Sequence, residues 1–304
     1  MSNERTSSLY APRHWPTWFA LGLFWVFTAL PPYGMVLTMG RWIGRAAYRV
    51  AGKRRHITRV NLELCFPELD PEEREKLVHA HFEAVGIALM MTGFAWWASD
   101  RKVDQLYHPE GKAYVDEALA GGKGVILLGH HFTDMEIVGR MAARHSPIAV
   151  VYRVHNNPVM EWAFRRNRER RFAGAISHED IRGMLKALRK QKIAVWYAPD
   201  QAYNGPNSVL VPFFGVPAAT HTGTSAIARI SKAPVILVHG HRLPGTAGYQ
   251  VKARSPLEGF PSGDPVADTT RLSRLFEEAI RQAPEQYLWT HRRFKKRKGM
   301  RDPY

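Results

Sequence analysis

The sequence predicts an α/β fold, with a central, mainly parallel sheet flanked by helices and a hydrophobic N-terminal membrane anchor ahead of it. Three observations predict this. From Gly121 onward, short apolar runs alternate with longer amphipathic stretches, the signature of strands interleaved with covering helices. No charged residue occurs from Trp15 to Gly40. Hydrophobic residues make up 45% of the 304-residue chain, and no low-complexity linker divides it. Residues 1–50 therefore read as an anchor region and 51–304 as the main domain.

The uncharged run Trp15 to Gly40 is long enough, at ~1.5 Å per residue, to cross a ~30 Å hydrocarbon core. Pro31-Pro32 breaks any single helix there and leaves Trp15 to Leu30 slightly short for a perpendicular span. The run is thus a transmembrane or deeply embedded anchor, with a purely interfacial hairpin as the alternative. Arg41, Arg45, Arg49, Lys53, Arg54 and Arg55 follow it, whereas Arg5 and Arg13 precede it. By the positive-inside rule the body of the protein is cytoplasmic.

Helices follow over Arg55 to Cys65 and Pro71 to Ala98, the second opened by Pro71-Glu72-Glu73. Its later part, Ala88 to Trp97, is apolar nearly all round. That pattern suits a buried core helix, or a surface or groove for lipid chains. Strands are expected at Val125 to Leu128, Ile148 to Tyr152, Ile193 to Tyr197, Val209 to Phe214 and Val235 to His239. Tyr249 to Ala253 reads as an edge strand. Helices are expected at Thr133 to Ala143, Pro158 to Arg171, Glu179 to Lys190, Thr222 to Lys232 and Thr269 to Ala283. In sheets of this kind chemistry collects at the carboxyl ends of strands.

Charge narrows the function. Forty-three Lys and Arg against 27 Asp and Glu give a net +16, which calls for an anionic partner. The chain has no RNP-like run, zinc-finger spacing or basic zipper, and Trp15, Trp18, Trp25, Trp42, Trp96 and Trp97 cluster around apolar runs. This excludes the usual nucleic-acid modules and favours a membrane interface. The longest single-sign run is Arg292-Arg293-Phe294-Lys295-Lys296-Arg297-Lys298. A single cysteine, Cys65, rules out an intramolecular disulfide and sits in an apolar setting suited to burial.

The chemistry-bearing segment is Gly129-His130-His131-Phe132-Thr133-Asp134-Met135-Glu136, which leaves a predicted strand at its carboxyl end. His131 and Glu136 are five residues apart, about 140° around a helix, so they meet only with His131 in the loop and Glu136 in the first helical turn. Thr133 to Glu136 matches a capping box, with Thr133 as N-cap and Glu136 at N3. Glu136 therefore reads either as a cap or as the carboxylate that orients a general-base histidine. Gly223-Thr224-Ser225-Ala226-Ile227 lacks the second glycine of a nucleophile elbow. With no protein nucleophile evident, the pair would activate a hydroxyl on a bound acceptor. A metal reading gathers His130, His131, Asp134 and Glu136, with His239 and His241, but lacks a recognised ligand spacing.

Beyond His131 and Glu136, four stretches carry a family likeness. They are Arg55-His56-Ile57-Thr58-Arg59-Val60-Asn61-Leu62 with Cys65-Phe66-Pro67-Glu68-Leu69; Tyr152-Arg153-Val154-His155-Asn156-Asn157; Ala194-Val195-Trp196-Tyr197-Ala198-Pro199-Asp200-Gln201; and Ala283 to Lys295. In this order, over nearly the whole chain, they resemble the late acyltransferases of bacterial lipid A biosynthesis. These are the lauroyl/myristoyl transferases of the lysophospholipid acyltransferase superfamily.

The resemblance implies acyl transfer from acyl carrier protein to a hydroxyl of a Kdo-bearing lipid A precursor, at the cytoplasmic face of the bacterial inner membrane. Acylation of another membrane lipid, and a metal-dependent hydrolase, are the alternatives. It implies His131 as general base, supported by Glu136, with functional roles for Arg168 and Asp200. Arg170 shares the Arg-x-Arg pattern, while Asn167 and Arg171-Phe172 depart from the residues common in the family. Asp200 stands where glycerolipid acyltransferases carry Glu-Gly-Thr, which favours a lipid A acceptor. Substrate contacts are implied at Arg153, Arg170, Trp196, Arg292 and Arg293. Carrier protein, lipid A precursor and anionic inner-membrane lipids are the implied partners, with no nucleic acid, cofactor or metal.

Overall fold

A computed structural model describes residues 9–295 and 302–304. Arg5 and the tail residues Lys296, Arg297 and Lys298, invoked above for orientation and charge, lie outside the described residues. The prolines act as expected. Helix α1 covers Trp15–Ala29, Pro32 takes extended backbone, and α2 runs over Tyr33–Val50. At ~1.5 Å per residue, α1 reaches about 22 Å, too short to cross a bilayer core alone. Trp15, Phe19, Leu23, Trp25, Val26 and Phe27 of α1 are exposed, as are Met35, Trp42 and Ile43 of α2. These nine large apolar side chains exposed on two consecutive helices are unusual for a water-facing protein.

Helix α3 spans Gly52–Cys65 and α4 spans Pro71–Trp97. Asp70 and Glu73 close a capping box around the start of α4, with Pro71 at its first position. Among the described residues α4 is the one helix long and apolar enough to cross a membrane, yet 61% of that window is buried. The all-round apolar character of its later part is that of a core helix.

Helix α2 meets α4 backbone to backbone along a glycine seam. A Cβ on Gly86 would lie 2.2 Å from the Gly40 carbonyl and 2.4 Å from the Gly44 nitrogen, and neither can yield. Gly86→Leu is therefore expected to force the helices apart and destabilise the protein by about 3 kcal/mol. Thermal unfolding in detergent checks this, and an unchanged midpoint would contradict the close approach.

After the short α5 (Asp100–Asp104) the chain alternates strands and helices. The strands are β1 (Tyr107–Glu110), β2 (Val125–Leu128), β3 (Ile148–Tyr152), β4 (Gly174–Ser177), β5 (Ala194–Tyr197), β6 (Ser208–Phe213), β7 (Val216–His221), β8 (Val235–Arg242) and β9 (Tyr249–Ala253). The helices are α6 (Lys112–Ala120), α7 (Met135–Ala143), α8 (Pro158–Arg171), α9 (Ile181–Lys186), α10 (Gly223–Ser231) and α11 (Pro265–Ile280). Seven strands form one sheet in the order β1-β9-β8-β2-β5-β3-β4, parallel except at β8–β9, and β6–β7 is a separate antiparallel hairpin. The predicted fold class is therefore the observed one.

Some expectations change. Tyr249–Ala253 is internal rather than at the edge, because β1 pairs outside it. β1 reads Tyr-His-Pro-Glu and is largely exposed, so it carries no apolar signature. The helix from Glu179 begins at Ile181, after the Asp180 cap, and ends in a π turn over Ala187–Gln191. The last helix starts at Pro265 rather than Thr269, because the Asp264 side chain accepts the Val266 and Ala267 amides.

Alternation along β2 divides the core. Ile126 and Leu128 pack with Leu62 of α3, Phe82 of α4 and Phe276 of α11, while Val125 and Leu127 face the opposite layer with Val115 of α6 and Phe172. Both faces of β2 are thus covered, and β2 and β5 pair at the centre of the sheet with their carboxyl ends side by side.

Candidate active site

Those two adjacent strand ends build the site. β2 leads into Gly129-His130-His131, and β5 leads into Ala198-Pro199-Asp200. Gly129 donates its N–H to the Tyr197 carbonyl (2.9 Å), and a Cβ there would lie 2.5 Å from the Trp196 indole. The loop is also stitched to the segment after α11. Leu288 N–H donates to the His131 carbonyl (2.9 Å) and Thr133 N–H to the Gln286 carbonyl (2.8 Å). That segment is held in turn by Asn61 of α3, whose amide donates to the Trp289 and His291 carbonyls at 2.6 and 2.8 Å. Three of the stretches that carry the family likeness therefore converge on one loop.

His131 pairs with Asp200. Its Nδ1 lies 2.6 Å from Asp200 Oδ1, and its backbone N–H donates to Oδ2 at 2.9 Å. Tyr287 donates its hydroxyl to the same Oδ2 at 3.0 Å. Burial pulls the His131 pKa down, but the Asp200 charge and hydrogen bond outweigh it and hold the imidazole above its ordinary value. Burial likewise pushes Asp200 up, and the adjacent histidine overcomes this and holds the carboxyl below its usual range. Asp200 is buried, whereas the His131 side chain keeps 21% exposure. With Nδ1 committed to Asp200, Nε2 is the ring nitrogen left for a substrate proton.

Glu136 takes a different partner from the one its spacing suggested. Its Oε2 accepts from Arg168 Nη2 at 2.8 Å and its Oε1 from the Trp96 indole N–H at 3.2 Å. The carboxylate hydrogen-bonded to His131 is Asp200, 69 residues further along the chain. The capping box does not form. Asp134 is the N-cap of α7 without a side-chain cap bond, which places Glu136 one position earlier in the first turn. The Thr133 amide, which Glu136 would accept in a capping box, donates to the Gln286 carbonyl instead, and the Thr133 hydroxyl has no partner among the described residues.

Arg168 lies between two rings, its guanidinium carbon 5.1 Å from the Tyr152 ring centre and 5.0 Å from that of Phe164. Such stacking fixes the plane of a guanidinium and suits arginine specifically. Glu161 ties the preceding loop down, accepting from the Tyr152 hydroxyl (2.9 Å) and the His155 N–H (2.9 Å). Arg170 and Arg153 are exposed, and their side chains have no hydrogen-bond partner among the described residues. Trp196 is half-buried against Gly129. Arg292 stacks over Tyr304 and pairs with Asp302 at 3.6 Å. Arg293 is buried and donates to the Ala219 carbonyl and the Thr220 hydroxyl of β7, at 2.9 and 2.7 Å.

Two nearby buried histidines, His130 of the same segment and His239 of β8, are held well below the ordinary imidazole range. Burial lowers His130 to about 3 and His239 to about 4. Asp134 is pushed up to about 6 by burial, against the pull of Arg242. Among the described residues, no three His, Cys, Asp or Glu side chains converge as a metal-ligand set. Trp96 and Tyr287 are the contributors that reasoning from spacing missed. Tyr287 lies within a stretch already singled out, whereas nothing local marked Trp96 as more than an apolar-face aromatic.

A partly exposed histidine held by a buried aspartate at the carboxyl ends of parallel strands is the kind of arrangement enzymes use to activate a hydroxyl or water. Comparison with known proteins makes that class particular. The family model described as bacterial lipid A biosynthesis acyltransferase matches residues 2–296. The lipid A biosynthesis palmitoleoyltransferase of Escherichia coli K12 is 39% identical, over 94% of this chain and 93% of its own. The E. coli lauroyltransferase is 38% identical over 96% and 95%, and a Haemophilus influenzae lipid A biosynthesis acyltransferase is 34% identical over 100% and 99%. The chain belongs to the bacterial lipid A biosynthesis acyltransferase family, and it is an acyltransferase.

Proposed function

We propose that this enzyme transfers a fatty acyl chain from acyl carrier protein to a hydroxyl of a Kdo-bearing lipid A precursor, with His131 as general base. The observation that carries the mechanism is the His131–Asp200 pair, which commits Nδ1 and leaves Nε2 for the acceptor. Nε2 takes the hydroxyl proton as the oxygen attacks the thioester carbonyl. The oxyanion collapses, the C–S bond breaks, and the imidazolium returns its proton to the departing thiolate. Asp200 stabilises the imidazolium in between. Arg168, oriented by Glu136, places positive charge where the oxyanion or an acceptor phosphate needs it. Exposed Arg153 and Arg170 are suited to the acceptor's anionic groups, or to the acidic surface of the carrier.

The exposed apolar faces of α1 and α2 support placement in the bilayer interface, where their aromatic and aliphatic side chains would be covered. The basic residues Arg41 to Arg55 favour an anionic lipid surface on the cytoplasmic side of the inner membrane, at about 1 kcal/mol for each residue near that surface. The test is mass spectrometry of lipid A from cells with the gene, without it, and with His131→Ala. One acyl chain is expected to disappear in the last two, its mass giving the chain length. An unchanged pattern would sink the reading.

A further inference from the structure

Among the described residues, Trp96 is the one aromatic side chain that touches the Glu136–Arg168 pair through a polar atom. It lies in the last turn of α4, and both its backbone and its ring are held. Arg171 donates to its carbonyl at 2.9 Å, and Arg140 donates to the flanking carbonyls of Ala95 and Ala98 at 2.7 and 2.8 Å. These are carbonyls that a helix end leaves without partners, so the arginines lock this turn in place. The indole is boxed edge-on by Phe164 of α8 at 4.7 Å, Trp97 at 5.4 Å and Phe24 of α1 at 6.2 Å. Packing alone would be served by a phenylalanine. A buried indole N–H needs an acceptor, and the one it has is Glu136 Oε1.

We propose that Trp96 is a positioning residue that keeps Glu136 from consuming Arg168. A carboxylate facing a guanidinium tends to the two-pronged arrangement, in which two N–H groups are spent on two oxygens. Here the indole occupies Oε1, Arg168 reaches Oε2 through Nη2, and the guanidinium stays stacked between Tyr152 and Phe164. Its other N–H groups thereby remain available to an anion that arrives in the site. Without the indole donor, the Glu136 carboxylate is free to rotate and take both prongs, drawing positive charge away from the reacting carbonyl. The loss falls on kcat rather than KM, because the charge is needed most where negative charge develops.

This inference rests on the reading of Glu136 and Arg168 as part of the transfer site, and the experiment separates the two. Purified enzyme in lipid vesicles is assayed as wild type, Trp96→Phe, Glu136→Ala and the double variant. Trp96→Phe is expected to lower kcat roughly tenfold, the scale of one hydrogen bond to a charged group, with KM within about twofold. In the Glu136→Ala background the same change is expected to cost less than about twofold. Equal losses in both backgrounds would mean that the ring only packs, and would overturn the proposal, as would undiminished kcat in Trp96→Phe. Wild-type turnover in Glu136→Ala would overturn the reading of the site and this inference with it. If Trp96→Phe does not fold, the benzothiophene isostere of the indole keeps the shape and removes only the N–H. The same two-background comparison then decides.

Discussion

Asp200→Asn is expected to lower kcat by between about 10³- and 10⁴-fold in a protein that still folds. The reason lies in which oxygen does what. Oδ2 accepts both the His131 N–H and the Tyr287 hydroxyl, so an asparagine keeps its carbonyl there and presents its NH₂ to His131 Nδ1. That donor forces the imidazole proton onto Nε2, the nitrogen that has to receive the acceptor's proton. A pH profile carries a second signature. His131 is held above its ordinary value of 6.5, so wild-type turnover should fall as pH drops through that raised pKa, while in Asp200→Asn the limb should move to lower pH. A variant with wild-type kcat and an unmoved limb would mean that Asp200 has no part in the chemistry.

The same pair affects stability, with a definite sign. His131 is raised on folding, so its share of the stabilisation is full at low pH and is lost as pH rises through its folded value. Asp200 is depressed, so its share is present above its unfolded value and lost as pH falls through the folded one. These are two views of one interaction. It contributes most between the depressed carboxyl and the raised imidazole, and the stability difference between wild type and Asp200→Asn should peak in that window.

Arg168→Ala is expected to lower kcat on the order of 10²-fold, the scale of losing one preorganised electrostatic group. Arg168→Lys should recover little, because an ammonium cannot lie flat between Tyr152 and Phe164 while reaching Glu136. Arg170→Ala serves as the contrast. That side chain is exposed and has no hydrogen-bond partner among the described residues, so its loss should raise KM severalfold at most and leave kcat unchanged. Steady-state kinetics on the three variants separates the two arginines of the shared pattern. The reverse ranking would place the functional guanidinium at Arg170.

The sheet was legible because β2, β3, β5 and β8 are buried strands whose apolar runs stand out against the amphipathic helices between them. β1 was not, since an exposed Tyr-His-Pro-Glu pairs through its backbone and carries no side-chain pattern. The prolines at 31 and 32 marked the break between α1 and α2 for a local reason: they end a helix wherever they stand.

The histidine and acid five residues apart in one segment drew attention to the site and placed His131 in a loop and Glu136 in the turn that follows. Local spacing could go no further, because it counts only neighbours along the chain. Hydrogen bonds reach about 3 Å in any direction, and in a parallel sheet the nearest residues at a strand's carboxyl end come from the adjacent strand. Pairing of β2 with β5 brings Asp200 to His131, while α4 packs against α7 and Arg168 reaches across from α8, so Glu136 meets Trp96 and Arg168 instead. The sequence by itself determined the fold class and the family. Which carboxylate pairs with His131 and which with Arg168 was decided only by tertiary structure, because both partners come from distant parts of the chain.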